Sequence, residues 1–317
     1  MTPTKGYDRS SCAPAVCVAA VRRLGAIPPH RAEMADSRVL ASRGTEQITS
    51  MSTHDRHAWR DAAVAAAQSA ADFIAHEART HHAIAWEAKS ATDFVSHVDL
   101  GAEERIRDIL HARIPGIRIV GEELSNDADP EAGLVAIVDP LDGTTNFLHG
   151  FPNYGVSICI ALDGVPQAAV MHDVARGGCC HATLGGGAFV DDSPLRVSAI
   201  DTPARALIGT GFPFKDVTRA DEYLRMMRRL MPEVSGMRRA GSAALDLSDV
   251  ARGRFDAFWE LWLNPWDLAA GVLLVREAGG RVTDLEGNDA RLVGGTIVAS
   301  NGVLHDWFLD ILNGRAL

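Results

Sequence analysis

Asp139-Pro140-Leu141-Asp142-Gly143-Thr144-Thr145-Asn146-Phe147 stands directly behind the short apolar run Leu134–Val138. A run of that length bounded by turn residues reads as a buried strand, so both carboxylates fall at a strand end. Pro140 fixes its φ and Gly143 frees its own, so the turn can aim two carboxylates and one backbone carbonyl at a common point. Asp-Gly alone is a common turn dipeptide, and the turn by itself would carry no function. Three more acidic segments lie near element ends. They are Lys89 to Asp99 (KSATDFVSHVD), Gly121-Glu122-Glu123 behind Ile117–Val120, and Asn264-Pro265-Trp266-Asp267 at a helix start. Taken singly, Glu122-Glu123 is a solvated pair, Asp267 serves the dipole of a helix capped by Asn264, and Asp99 caps another helix. Their conjunction points elsewhere: Glu122, Asp139 and Asp142 come from consecutive strand ends, and Asp267 from a distant helix start. Oxygen ligands without His or Cys select a hard cation, and Mg²⁺ suits a few carboxylates plus water and phosphate.

Around this centre the texture changes along the chain. Residues 1–50 carry seven basic and four acidic residues and no sustained period. Residues 1–52 are read as a disordered extension or as coding sequence upstream of a start at Met51. From about Asp55 to Thr80 an Ala-rich stretch places Trp59, Val64, Ala67, Ala71 and Ile74 near helical spacing. A second helix follows Asp99. Tyr154–Leu162 and Pro166–His172 flank Asp163-Gly164 as a hairpin, and two short strands flank Gly185-Gly186-Gly187. Beyond residue 200 strands alternate with helices: strands at Ala206–Thr210, Gly236–Ala240 and Phe255–Leu261, helices at Arg219–Leu230, Ser242–Arg252 and Trp266–Ala278. Arg281–Leu285 and Thr296–Ser300 finish as strands. An α+β region over residues 53–198 is therefore expected to precede an α/β region over 199–317.

Composition excludes several classes. With 31 Lys+Arg against 41 Asp+Glu the net charge is −10, which favours neither a nucleic-acid nor a membrane-surface partner. No apolar run approaches the roughly 20 residues needed to span a bilayer. Five cysteines, odd in number, make no disulfide framework, and Cys179-Cys180-His181 lacks a second ligand pair at zinc spacing. Buried thiols in a reducing cytosol follow as the expectation. No GxSxG, HExxH, complete GxGxxG or GxxxxGK[ST] is present.

DPLDGTTNF, with GEE upstream, RRAGSAALD between and WD downstream, closely resembles the inositol monophosphatases over residues 55 to 312. The resemblance implies the layered α-β-α-β-α sandwich shared with fructose-1,6-bisphosphatases, two or three Mg²⁺ ions per site, inhibition by lithium, and a homodimer. It implies that Glu122, Asp139 and the Leu141 carbonyl hold a first Mg²⁺, and that Asp139, Asp142 and Asp267 hold a second. Asp99 matches a contact, through water, to a weaker third ion. Thr144 matches the threonine that, with Glu122, orients and deprotonates the attacking water. Gly143, Thr144, Gly241, Ala243, Glu260 and Asp267 match positions that meet the substrate. The expected activity is hydrolysis of inositol 1-phosphate or a related polyol or sugar phosphate. A histidinol-phosphatase is the rival within the superfamily, although members specialised for it depart from the TTN of this turn. The rival of another class is a non-catalytic or dual-role protein-interaction member.

Overall fold

The computed structural model describes residues 53–80, 86–88, 94–124, 129–214 and 217–315, and the expected extension over 1–52 lies outside them. Helix α1, Thr53–Thr80, is nucleated by alanine, the best helix former. Ala62, Ala63, Ala66, Ala67, Ala70, Ala71 and Ile74 recur at helical spacing and are all buried. A short hairpin, β1 Trp86–Ala88 with β2 Phe94–Ser96, leads into α2, His97–Arg113. That helix begins two residues before Asp99, so Asp99 sits in its first turn and closes a capping box with Ser96.

A seven-stranded sheet follows, built from β3 Arg118–Gly121, β4 Leu134–Asp142, β5 Gly155–Leu162, β6 Val165–Asp173, β7 Cys179–Thr183, β8 Gly187–Val190 and β9 Ser193–Pro194, in that spatial order. Within this sheet only β3 and β4 pair in parallel. Strand β4 buries both faces with period two. Val135 and Ile137 face one core, while Ala136 and Val138 face the core shared with α1 and α2. Between β4 and β5 lies the five-residue helix α3, Thr144–Leu148.

The remaining elements are β10 Leu207–Thr210, α4 Ala220–Leu230, β11 Gly236–Arg238, α5 Ala243–Ala251, β12 Ala257–Leu263 and α6 Pro265–Glu277. They end with β13 Arg281–Thr283, β14 Gly295–Ser300 and α7 His305–Asn313. Their five strands form a second sheet in the order β11-β10-β12-β14-β13. Helices α5 and α6 fill the space between the sheets, where Leu247, Val272 and Leu273 share a core with Val135 and Phe258. Helices α4 and α7 cover the outer face of the second sheet through Tyr223, Leu230, Phe308 and Leu312 packed on Trp259 and Leu261. The layers therefore run α1/α2, seven-stranded sheet, α5/α6, five-stranded sheet, α4/α7, which is the expected α-β-α-β-α sandwich. All described residues belong to one compact unit, Ser52–Leu317. The sequence reading did not foresee α7 or the β1–β2 hairpin. No described helix is long and apolar enough to cross a membrane.

Candidate active site

The expected strand ending at Val138 runs on to Asp142, and its register against β5 shifts between Asp139 and Asp142. Asp139 pairs with Ser157 and Asp142 with Gly155, so β4 spends one residue more than β5 over the same stretch. Pro140 lies inside this bulge, where a residue without an N–H breaks no needed ladder bond. Gly143 then turns the chain at φ 93°, and a Cβ there would lie 2.8 Å from the Asn153 carbonyl oxygen. Glycine is required on both counts.

This geometry brings Asp139, Asp142 and Asp267 together, one carboxylate oxygen of each lying within 4.8 Å of those of the other two. Asp139 is buried. Burial first, then the charges of Glu122, Asp142 and Asp267, push its carboxyl well above the usual range, and the Leu141 N–H offsets this only partly. Asp142 accepts bonds from the Ser242 hydroxyl at 2.5 Å and the Ala244 N–H at 2.8 Å, so the start of α5 is aimed at it. Asp267 is the third residue of α6. One of its oxygens accepts the Asn264 N–H at 2.6 Å, completing a capping box. The plain reading of Asp267 as a capping residue and the site reading thus hold together. Glu122 lies outside the tight trio but lines the same cavity. Its turn is held by Glu103, wholly buried on α2, which accepts the N–H groups of Glu123 and Leu124.

Thr144 lies 3.0 Å from both an Asp99 carboxylate oxygen and the Leu141 carbonyl, a hydroxyl shared between two acceptors. Asp99 is 1% exposed, and its other oxygen accepts the N–H and hydroxyl of Ser96. Burial raises its pKa against these lowering bonds. Asp99 is therefore packed behind Thr144 and does not line the cavity.

The cavity has a volume of about 430 Å³ and is lined by the carboxylate trio and by Glu260, Trp262 and Leu263 at the C-terminal end of β12. Leu141, Gly143, Thr144, Gly241, Ala243 and Glu260 line it, so every other expected site residue reaches one space. Gly241 adopts φ 93°, and its segment is tied down by Asn146, whose side-chain amide donates to the carbonyls of Asn153 and Ala240. A Cβ at Gly211 would fall 2.1 Å from the Glu260 carboxylate, so Gly211 leaves the room that side chain occupies.

Sequence reasoning missed several lining residues. The segment Thr210–Phe214, Arg239, Trp262 and Asp246 all face the cavity. Arg239 lies over the rings of Phe212 and Phe214, 5.6 and 5.1 Å from their centroids. Asp246 offered one signal: an acid midway along the apolar helix Ala243-Ala244-Leu245-Asp246-Leu247. The histidines and cysteines stay out of the trio, as expected. Cys159, Cys179 and Cys180 are buried free thiols, the first two pushed up to about 12 chiefly by burial.

Comparison with known proteins bears directly on this geometry. The model of the inositol monophosphatase family matches residues 55–315. The chain is 44% identical over 243 residues to the Nus factor SuhB of Pseudomonas aeruginosa, covering 75% of this chain and 90% of that protein. It is 46% identical over 213 residues to the inositol-1-monophosphatase of Rhizobium meliloti, covering 67% of this chain and 80% of that one. Among solved structures, the extragenic suppressor protein SuhB of Bartonella henselae superposes with a TM-score of 0.74 at 38% identity, covering 80% of this chain and 97% of that one.

Proposed function

The chain belongs to the inositol monophosphatase family, and from that premise we propose that it is a Mg²⁺-dependent phosphomonoesterase. Its proposed substrate is inositol 1-phosphate or a related small polyol or sugar phosphate. The observation that carries the reading is the gathering of Asp139, Asp142 and Asp267 within 4.8 Å at the wall of an open cavity. Carboxylates that close repel one another unless a cation stands among them, and an all-oxygen donor set suits Mg²⁺. Asp139, Asp142 and Asp267, with Glu122 and the Leu141 carbonyl, are the groups assigned to hold it. When bound, such ions lower the pKa of a water and neutralise a leaving alkoxide, the two demands of an otherwise extremely slow hydrolysis.

The chain's own groups supply the rest. Glu122 and Thr144 orient the attacking water and take up its proton, and Asp99 fixes the Thr144 hydroxyl from behind. Backbone N–H groups of Gly143 and Thr144 meet the phosphate oxygens. Gly241 and Ala243 let a polyol approach the backbone, and Glu260 accepts its hydroxyls. A homodimer in the cytoplasm belongs to the same proposal, and light scattering on the purified protein checks the stoichiometry.

Phosphate release from a panel of inositol 1-phosphate, glycerol 2-phosphate, histidinol phosphate and fructose 1,6-bisphosphate tests the reading. Activity disappears with EDTA, returns with Mg²⁺ and is inhibited by Li⁺. Full activity in a rigorously metal-free preparation overturns it. A marked preference for histidinol phosphate transfers the assignment to the histidinol-phosphatase branch. Identity of 41% to a protein named Nus factor SuhB in Salmonella typhimurium, across 90% of its length, favours a second role beside catalysis. Replacing that protein by this chain, with and without Asp139→Asn, tests it. Rescue by both forms separates the role from turnover, and rescue by neither removes it.

A further inference from the structure

Asp246 sits on α5 one turn beyond Ser242, is 2% exposed, and lines the cavity. Among the described residues no hydrogen bond or ion pair reaches its carboxyl group. Its surroundings are Glu260, Asp142 and Asp249, with Arg239 as the nearby opposite charge. Arg239 is turned over the rings of Phe212 and Phe214 and makes no ion pair with it. The same helix shows what a satisfied buried acid looks like. Asp249 is bridged by Arg254 at 2.9 Å and Arg176 at 3.7 Å. The carboxyl oxygens of Asp246 are not sealed inside the protein: the group is packed on its protein side and opens onto the cavity, so its hydrogen-bond partner has to come from there.

We infer that Asp246 is a specificity-determining residue that hydrogen-bonds a ring hydroxyl of a polyol phosphate, beside Glu260. This rests on the phosphatase reading above. A hydroxyl both donates and accepts, so it matches a carboxyl group in either protonation state. An ammonium or imidazolium group, which can only donate, pairs best with the ionised form. Burial first, then the charges of Glu260, Asp142 and Asp249, raises the pKa of Asp246 well above the ordinary carboxylate range, and a hydroxyl partner suits the group on either side of that titration. Asp246 is itself 2% exposed, so the cavity is where its carboxyl group meets a partner.

The test compares inositol 1-phosphate with cyclohexyl phosphate, the same ring without hydroxyls, and with p-nitrophenyl phosphate as a reference ester, all in Mg²⁺. A site that pairs with substrate hydroxyls rejects the analogue lacking them strongly, so the wild-type protein should prefer inositol 1-phosphate by at least about a hundredfold in kcat/KM. Asp246→Leu should shrink that preference by about tenfold or more, mainly through KM. Its melting temperature should stay at or above the wild-type value, because an unpaired buried acid has been removed. Asp246→Asn, which keeps the shape and can still donate, should lose less.

Equal kcat/KM for the two ring substrates in the wild-type protein overturns the inference without any variant. Retention of full preference by Asp246→Leu also overturns it, as does a melting-temperature loss with equal loss on every ester, which marks a structural role. A selective loss on histidinol phosphate in Asp246→Asn shows that the group binds a cation instead. Failure to hydrolyse even p-nitrophenyl phosphate is the separate signature that the phosphatase reading itself has failed, and the inference falls with it.

Discussion

Asp139 is buried among three other carboxylates, and its two neighbours in the trio come from different elements. Replacing it with Asn removes a charge from the centre of the proposed cation site while keeping the shape. Turnover in Asp139→Asn should fall below about a tenth of wild type, the change that corresponds to roughly 1.4 kcal/mol in barrier. The metal-free variant should melt at or above the metal-free wild-type temperature, since repulsion is relieved. Calorimetry and steady-state kinetics on the same preparation check both, and substantial residual activity would remove Asp139 from the centre. At this scale the carboxylates were legible because the DPLDGTTNF turn, GEE and WD each place an acid at an element end. Asp246 was not, because an acid inside a helix ordinarily marks the solvated face, and only tertiary packing turns that face inward. Ser242 was legible as a helix start, but its bond to Asp142 spans a hundred residues and leaves no local pattern.

Elements set the positions that single residues exploit. Glu103 on α2 accepts two N–H groups from the turn carrying Glu122, and a Cβ at Gly121 would fall 2.2 Å from its carboxylate. Glu103→Gln replaces one acceptor by a donor facing an N–H, so the turn should loosen. The apparent Mg²⁺ affinity, read from activity against Mg²⁺ concentration, should weaken severalfold; an unchanged curve would confine Glu103 to the scaffold. Helix α7 went unforeseen because its buried Phe308, Leu309, Ile311 and Leu312 crowd into so short a stretch that helix and strand patterns cannot be told apart. Its first residue, His305, is fully buried between the hydroxyls of Ser300 and Thr283. Burial first, then the charge of Arg281, pushes His305 down from its ordinary 6.5 to about 4. The unfolded chain therefore binds the extra proton first. This contribution to stability is present above pH 6.5 and is lost as pH falls toward 4. Over that window the wild-type melting temperature should drop several degrees more than that of His305→Gln, and parallel curves would refute the linkage.

Across the whole molecule the middle layer of α5 and α6 is what both sheets lean on. The alternation of strands and helices made legible only an α+β region before an α/β one, and the five-layer order followed from the family resemblance; the closeness of α5 to α6 was not legible. Gly271 on α6 makes that approach possible, since a Cβ there would lie 2.4 Å from a Leu247 methyl carbon. Gly271→Val should cost about 1–3 kcal/mol through overpacking. Because α6 carries Asp267 in its first turn, the variant should also need more Mg²⁺ for half-maximal activity. A stable variant with an unchanged requirement would show that the layer tolerates the wedge. The carboxylate trio has a further consequence. Asp139 and Asp267 stand about 130 residues apart in the chain, so a cation gripped by both works as a removable crosslink closing a very long loop. Resistance to heat and to proteases should climb with the logarithm of free Mg²⁺ once the site saturates, and chelation should act as a molecular unlatching of the two sheets.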